Sequence, residues 1–291
     1  MKTLLLFLAF AFSMTSLWAS TADSTLLRAS EPEGPYPNNS YTSRSTLFGI
    51  GGVNRLETYL SPLEYTGTEF RFLRESMRLT HMAKGRISCQ QFFEGNFSVT
   101  KSPTDDARYL SGDFGWHIGW HYNWKFFHDR LRLLFGGLTG ANIGVVYNTR
   151  NGNNPAQGKL NAELAASGAA VYKFNLWKRH LTLRYQLDIP VFGAMFSPAY
   201  GQSYYEIFNK NNSDHNVCVT WMGNAPTFLQ LLTLDVPIGS GTMRIGYRSE
   251  VRQSHVNSLK SHQWSNLFMI GYVRHFRLIK DRKEQLSHTI Y

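Results

Sequence analysis

Through residues 113–126, hydrophobic and polar positions alternate with a period of two. One parity reads Asp113, Gly115, His117, Gly119, His121, Asn123, Lys125, and the other reads Phe114, Trp116, Ile118, Trp120, Tyr122, Trp124, Phe126. A helix would scatter those rings around its circumference, whereas a strand places all of them on one face. The pattern recurs at residues 181–191, where Leu181, Leu183, Tyr185, Leu187, Ile189 and Val191 oppose Thr182, Arg184, Gln186 and Asp188. It recurs again at Met243, Ile245, Tyr247, Ser249 and Val251 against Thr242, Arg244, Gly246, Arg248, Glu250 and Arg252. In residues 86–99 the alternation is less pure, with Gln91 and Phe92 out of phase.

Extending the pattern predicts about ten strands, at residues 44–55, 67–80, 86–100, 109–126, 131–148, 158–175, 180–195, 217–236, 241–255 and 263–277. The connections differ in kind from one end to the other. Quick turns are expected after the second, fourth, sixth and eighth strands, and polar loops after the first, third, fifth, seventh and ninth, the longest being residues 198–216. Short turns at one end and longer loops at the other are the signature of an outer-membrane barrel. The expected fold is therefore all-β, a transmembrane antiparallel up-and-down β-barrel with short periplasmic turns and longer extracellular loops.

Strand length and ring placement favour membrane over water. Soluble strands run to about 5 to 6 residues, while a bilayer-crossing strand needs roughly 9 to 11 within the hydrocarbon. Trp116, Trp120 and Trp124 on one face are bulky for the inside of a small barrel and suit a lipid-facing surface. The competing arrangement is a soluble periplasmic β-barrel binder that buries the same rings. Composition agrees with an ordered β-domain: of 291 residues 43% are hydrophobic, 14% aromatic and 17% charged, which excludes a disordered chain. At the N-terminus Lys2, an apolar run over residues 4–12 and Ala19 have the form of an export signal, compatible with either arrangement; with the barrel it predicts localisation in the outer membrane. The expected organisation is a signal peptide at 1–19, a Pro-containing lead-in at 20–43, the barrel at 44–279 and a polar tail at 280–291.

With rings outside, the polar parity lines the lumen. Its candidates are Glu94, His117, His121, Arg184, Asp188, Arg244, Arg248, Glu250 and Arg252. In the second strand Glu69, Arg71, Arg74, Glu75 and Arg78 break strict alternation, so their directions stay open. Mixed charges in a low-dielectric interior must pair, which predicts a plugging network; an Arg-biased constriction for small anions, a porin-like narrow pore, is the sharper alternative.

Other constellations fail as chemistry. His117 and His121 lie four strand residues apart, roughly 13 Å, too far to share one metal ion. Asp105 with Asp106, and Asp214 with His215, suggest an outer-membrane protease, but adjacent residues of an extended loop point apart. Ser254 and His255 face opposite sides of a strand, leaving His262 or Ser265 as cross-hairpin partners for a lipid hydrolase. No catalytic residue, metal or cofactor is assigned. Cys89 and Cys218 fall on distant strands and predict no disulfide. The formal charge of +10 is dispersed without a nucleic-acid motif. Lys84, Arg86, Arg130, Lys178 and Arg179 instead gather near the short turns, where anionic headgroups lie. Outer-membrane lipids, and the barrel-assembly machinery during biogenesis, are the expected partners of a monomer.

Residues 66–78 (TGTEFRFLRESMR) and 241–266 (GTMRIGYRSEVRQSHVNSLKSHQWSN) are similar to an uncharacterised family of Gram-negative outer-membrane β-barrel proteins. The resemblance covers residues 44–277 and implies architecture; it implies no catalytic residues. One departure concerns the C-terminus. Such barrels end on an aromatic residue that resembles an assembly signal, whereas here a polar tail follows Phe276. Either Phe276 serves as an internal version of that signal or the last strand lies elsewhere.

Overall fold

The computed structural model describes residues 40–152, 154–176, 179–238 and 241–278. The expected signal peptide, most of the lead-in and the polar tail lie outside the described residues.

Among the described residues there are eleven strands: β1 (Ser40–Glu57), β2 (Ser61–Leu79), β3 (Ile87–Lys101), β4 (Arg108–Phe126), β5 (Leu131–Asn148), β6 (Ala156–Leu176), β7 (Arg179–Phe196), β8 (Val217–Trp221), β9 (Thr227–Ile238), β10 (Gly241–Val256) and β11 (Leu259–Leu278). Consecutive strands pair antiparallel around the wall except β8 and β9, and β1 closes on β11 from Ser40 opposite Leu278 to Glu57 opposite Ser261. Closure leaves no long unpaired edge. Because β8 and β9 both pair with β7, they form one interrupted strand, and the wall has ten staves.

Several sequence expectations are corrected. β1 and β11 are longer at both hairpin ends than residues 44–55 and 263–277. The connection after β1 is residues 58–60, and that after β10 is only Asn257 and Ser258, not polar loops. Both residues of the second turn have positive φ, 51° and 60°, the twist a two-residue hairpin demands. The eighth strand is split at residues 222–226. β11 runs through Phe276, whose backbone pairs with Thr42, to Leu278, which places the last strand directly beside the first.

The alternation sends the rings outward. Phe48, Phe70, Phe114, Phe135, Phe268 and Trp124 are all exposed on the outer face, while Ser88, Gln90, His117, His121, Gln186 and Glu250 are buried inside. This is the polarity of a transmembrane barrel, with an apolar belt outside and a polar interior. In β2 the open question resolves: Glu69, Arg71 and Glu75 are buried in the interior, and Arg74 and Arg78 are exposed.

The interior also holds an apolar layer. Leu47, Leu73, Phe92, Leu138, Leu231, Leu267 and Met269 form one buried cluster contributed by strands from all around the wall. Phe92, out of phase by sequence, is a member of this layer.

Candidate functional site

Charged groups occupy the interior on both sides of the apolar layer. Toward the short-turn end, Glu75 Oε1 accepts from Arg184 at 2.6 Å and Oε2 from Arg244 at 3.0 Å. Gln90 Nε2 donates to Glu75 at 2.7 Å, and Arg244 also grips Asp235 through two bonds of 2.6 and 2.8 Å. Asp188 accepts from Ser167 and from Gln186, and the His121 ring meets the Ser167 hydroxyl at 2.7 Å. Strand period explains the grouping, since Arg184, Gln186 and Asp188 are successive inward positions of β7.

Toward the long-loop end, Arg71 binds Glu69 at 2.6 Å and pairs with Glu250. Arg248 reaches Glu94 at 2.8 Å, Arg252 reaches Glu163 at 3.3 Å and pairs with Glu250, and His117 meets Glu163 at 3.2 Å. Every lumen candidate read from the sequence is therefore placed in the interior, and each has a hydrogen-bond or ion-pair partner there. His117 and His121 go to different residues of β6, Glu163 and Ser167. Three guanidiniums face four carboxylates in this upper group, so it carries no Arg excess.

Above it lies a cavity of about 140 Å³. Arg55, which bonds Asp113 at 3.3 Å and Gln263 at 2.7 Å, faces it, as does Lys159, which pairs with Glu57 and donates to Ser261 at 2.9 Å. Asn96 and Asn142 also line it. The sequence reasoning missed this site. Its signal was present in the inward parities of β1, β5 and β6, where Arg55, Glu57, Asn142, Lys159 and Glu163 stand, and in Pro190, which lacks the N–H a central strand uses.

A lid of loop packs across the long-loop end. Residues 197–216 contain a short helix, α1 (Tyr204–Phe208), started by Ser203 and Glu206 in a reciprocal capping box. Tyr204 Oη accepts from the Gly158 backbone at 2.6 Å and donates to Gln157 at 3.1 Å, while Tyr59 donates to the Gln202 carbonyl at 2.9 Å. Burial pushes the Tyr204 phenol up to about 12, with Tyr59 and Glu57 adding to the shift and the Gly158 N–H opposing it. Beneath, Tyr65 and Tyr109 stack at 3.7 Å among Leu60, Ala107 and Val146. Asn257 ties the β10–β11 turn to the lid through bonds of 2.9 Å to the Ser197 and His215 carbonyls.

The hydrolase candidates do not assemble. Asp105 bonds Lys101 and Asp106 bonds Ser102, both at the edge of the β3–β4 loop. Asp214 and His215 are exposed. Ser254 and His262 both line the cavity, but the His262 Nε2 bonds Asn54 at 3.0 Å and its ring stacks on Trp264. Cys89 and Cys218 are both free.

No curated protein matches the chain by sequence. Among solved structures it is similar to the translocator domain of the autotransporter NalP from Neisseria meningitidis, at 13% identity and TM-score 0.36, covering 91% of this chain and 96% of that one. It is also similar to the beta domain of the Bordetella autotransporter BrkA, at 11% identity and TM-score 0.38, over 80% and 100% of the two chains. The outer membrane protease OmpT from Escherichia coli aligns at 6% identity and TM-score 0.41, over 87% and 100%. These likenesses are too remote to transfer any activity. The family model described as a protein of unknown function, DUF3316, matches residues 4–283, and the chain belongs to that family.

Proposed function

We propose that the protein is a non-enzymatic barrel of the outer membrane whose lumen is plugged by its own side chains, a rigid scaffold for its long-loop end and not an open pore. The observation that carries this reading is the apolar layer. Leu47, Leu267 and Met269 have no exposure and Leu73 only 1%, although all of them point into the barrel and not into lipid. A water-filled channel would expose them. The charged groups on either side add to the block, because each guanidinium is bound to carboxylates and would have to release them for an ion to pass. Lipids of the outer membrane surround the apolar belt, and the chain acts as a monomer, since β1 and β11 complete each other.

The test is conductance. Mature protein refolded into planar bilayers is expected to show no steady channel current, while the same preparation migrates differently on a gel before and after boiling. A stable ohmic conductance from the folded form would overturn the scaffold reading, and loss of heat-modifiable migration would overturn the membrane placement.

A further inference from the structure

The wall is interrupted beside the cavity. β7 pairs with β9 from Thr182 opposite Asp235 to Asp188 opposite Leu229, and with β8 from Phe192 opposite Trp221 to Phe196 opposite Val217. Between these two ladders, three residues of β7, Ile189 to Val191, face seven of the other strand, residues 222–228. Pro190 sits in the interval and has no N–H to offer. On its other side β7 shifts register against β6 at Leu164/Ala165, leaving Val191 as an extra residue. The cavity reaches this interval. Its lining includes Pro190, Phe192, Trp221 and Ala225 together with the lumen groups Arg55 and Asp113. Phe192 and Trp221 are 54% and 60% exposed on the outer face, so one cavity is bounded by lumen polar groups and lipid-facing rings. Pro190 lies eleven residues along β7 from Arg179, which at a tilt near 40° is roughly 28 Å from the short-turn end, close to the top of an apolar band about 25 Å tall.

The inner part of the cavity has unanswered hydrogen-bonding capacity. Arg55 Nε and Asn142 Nδ2 are buried donors without a partner, and Asn96 Oδ1 is a buried acceptor without one. The charges nearby are already matched, Arg55 with Asp113, Lys159 with Glu57, and Arg252 with Glu163 and Glu250. A charged head would disturb those pairs, whereas a head that donates and accepts without net charge would satisfy the leftover atoms. The volume of about 140 Å³ is close to the roughly 150 Å³ of an engineered cavity that binds benzene, so one sugar ring is the upper limit for the head.

We propose that this cavity is a lateral binding site for an amphiphile, reached from the bilayer between β7 and the β8–β9 strand, which takes an uncharged hydroxylated head of about one sugar ring against Arg55, Asn96 and Asn142 and leaves its alkyl chain along Phe192 and Trp221. The inference rests on the membrane placement of the barrel, which boiled and unboiled migration of the same sample tests separately.

The register supplies its own test. Deleting residues 222–225 would bring Trp221 next to Pro226, so that the pairing of Phe192 with Trp221 continues without a step into that of Asp188 with Leu229. The probe is a fluorescent dodecyl glucoside, titrated into protein held in phosphatidylcholine vesicles, with free glucose and dodecane as competitors. Wild type is expected to bind saturably at one site, with competition from unlabelled dodecyl glucoside and not from either fragment alone. The deletion variant, still heat-modifiable, is expected to bind at least tenfold more weakly. Equal binding by that variant, or no saturable binding by wild type, would overturn the proposal. Should the variant fail to fold, a photoreactive dodecyl glucoside on unaltered protein decides the matter. Protectable crosslinks confined to residues 189–196 and 217–227 support the site, and crosslinks spread evenly over the outer belt refute it.

Discussion

Glu75 is held by two arginines, a glutamine and Ser45 in a space that water does not reach. Its removal leaves Arg184 and Arg244 buried with one fewer counter-charge, and breaking a buried pair from one side costs about 3 to 5 kcal/mol. Glu75→Gln is therefore expected to lower the unfolding free energy of vesicle-embedded protein by an amount of that order, read from urea titration by tryptophan fluorescence. Lys101→Ala, which breaks the exposed pair with Asp105, is the comparison and should cost less than about 1 kcal/mol. Equal effects at the two positions would show that the interior is hydrated. Gly140 tests the packing around the other cluster. A Cβ there would run into the His117 imidazole, whereas a Cβ at Gly52 meets nothing within 4 Å. The ring could escape only by leaving Glu163, so Gly140→Ala should destabilise by about 1 to 3 kcal/mol and Gly52→Ala by much less, measured in the same unfolding assay.

At the scale of elements, what the sequence disclosed and what it hid have different physical origins. A two-residue period reports which face of a strand meets which medium, so the ten staves and the inward placement of Arg184, Asp188, Arg244 and Arg248 were legible. The period blurs where apolar residues stand on both faces, as they do at residues 228–232. Across residues 222–226 the parity reverses, with Val217, Val219 and Trp221 exposed and Leu229 and Leu231 buried, and the unpaired stretch of β7 opposite marks the step. Polar character also misled at the turns: Asn257 and Ser258 read as loop, yet their tolerance of positive φ makes a two-residue hairpin. The lid was legible as a long polar loop, but its anchoring by Tyr204 was not, because the partners Gly158 and Gln157 lie on another strand. That anchor has a pH signature. The Tyr204 pKa in the folded protein, about 12, stands above the unfolded value near 10, so the neutral phenol is the form that stabilises. Its contribution is fully present below about pH 10 and is lost as pH rises through about 12. Tyr204→Phe removes the bonds to Gly158 and Gln157 and should cost about 1 kcal/mol at pH 8, a difference that shrinks across that window. Unfolding midpoints of the two proteins over the pH range check it, and a difference that grows with pH would contradict the assignment.

For the whole molecule, the decisive feature is that two kinds of obstruction lie in series along one lumen. The charged groups are hydrogen-bonded and polarisable, and a vacancy among them can be filled by water. The apolar layer cannot be crossed that way, since a dry constriction excludes ions by refusing their hydration shells. Phe92 and Leu138 are its members on β3 and β5, which flank β4. Truncating both removes two large side chains from a layer that the rigid wall cannot collapse to refill, at a combined cost of about 5 to 10 kcal/mol if the sites are independent. Phe92→Ala with Leu138→Ala is therefore expected to fold less stably but to pass a small steady current in planar bilayers where wild type passes none. Glu75→Gln, which loosens a charged group and leaves the apolar layer whole, should stay silent in the same recording. If the charge variant conducts and the apolar variant does not, the barrier lies in the ion pairs, and the layer through Phe92 is packing alone.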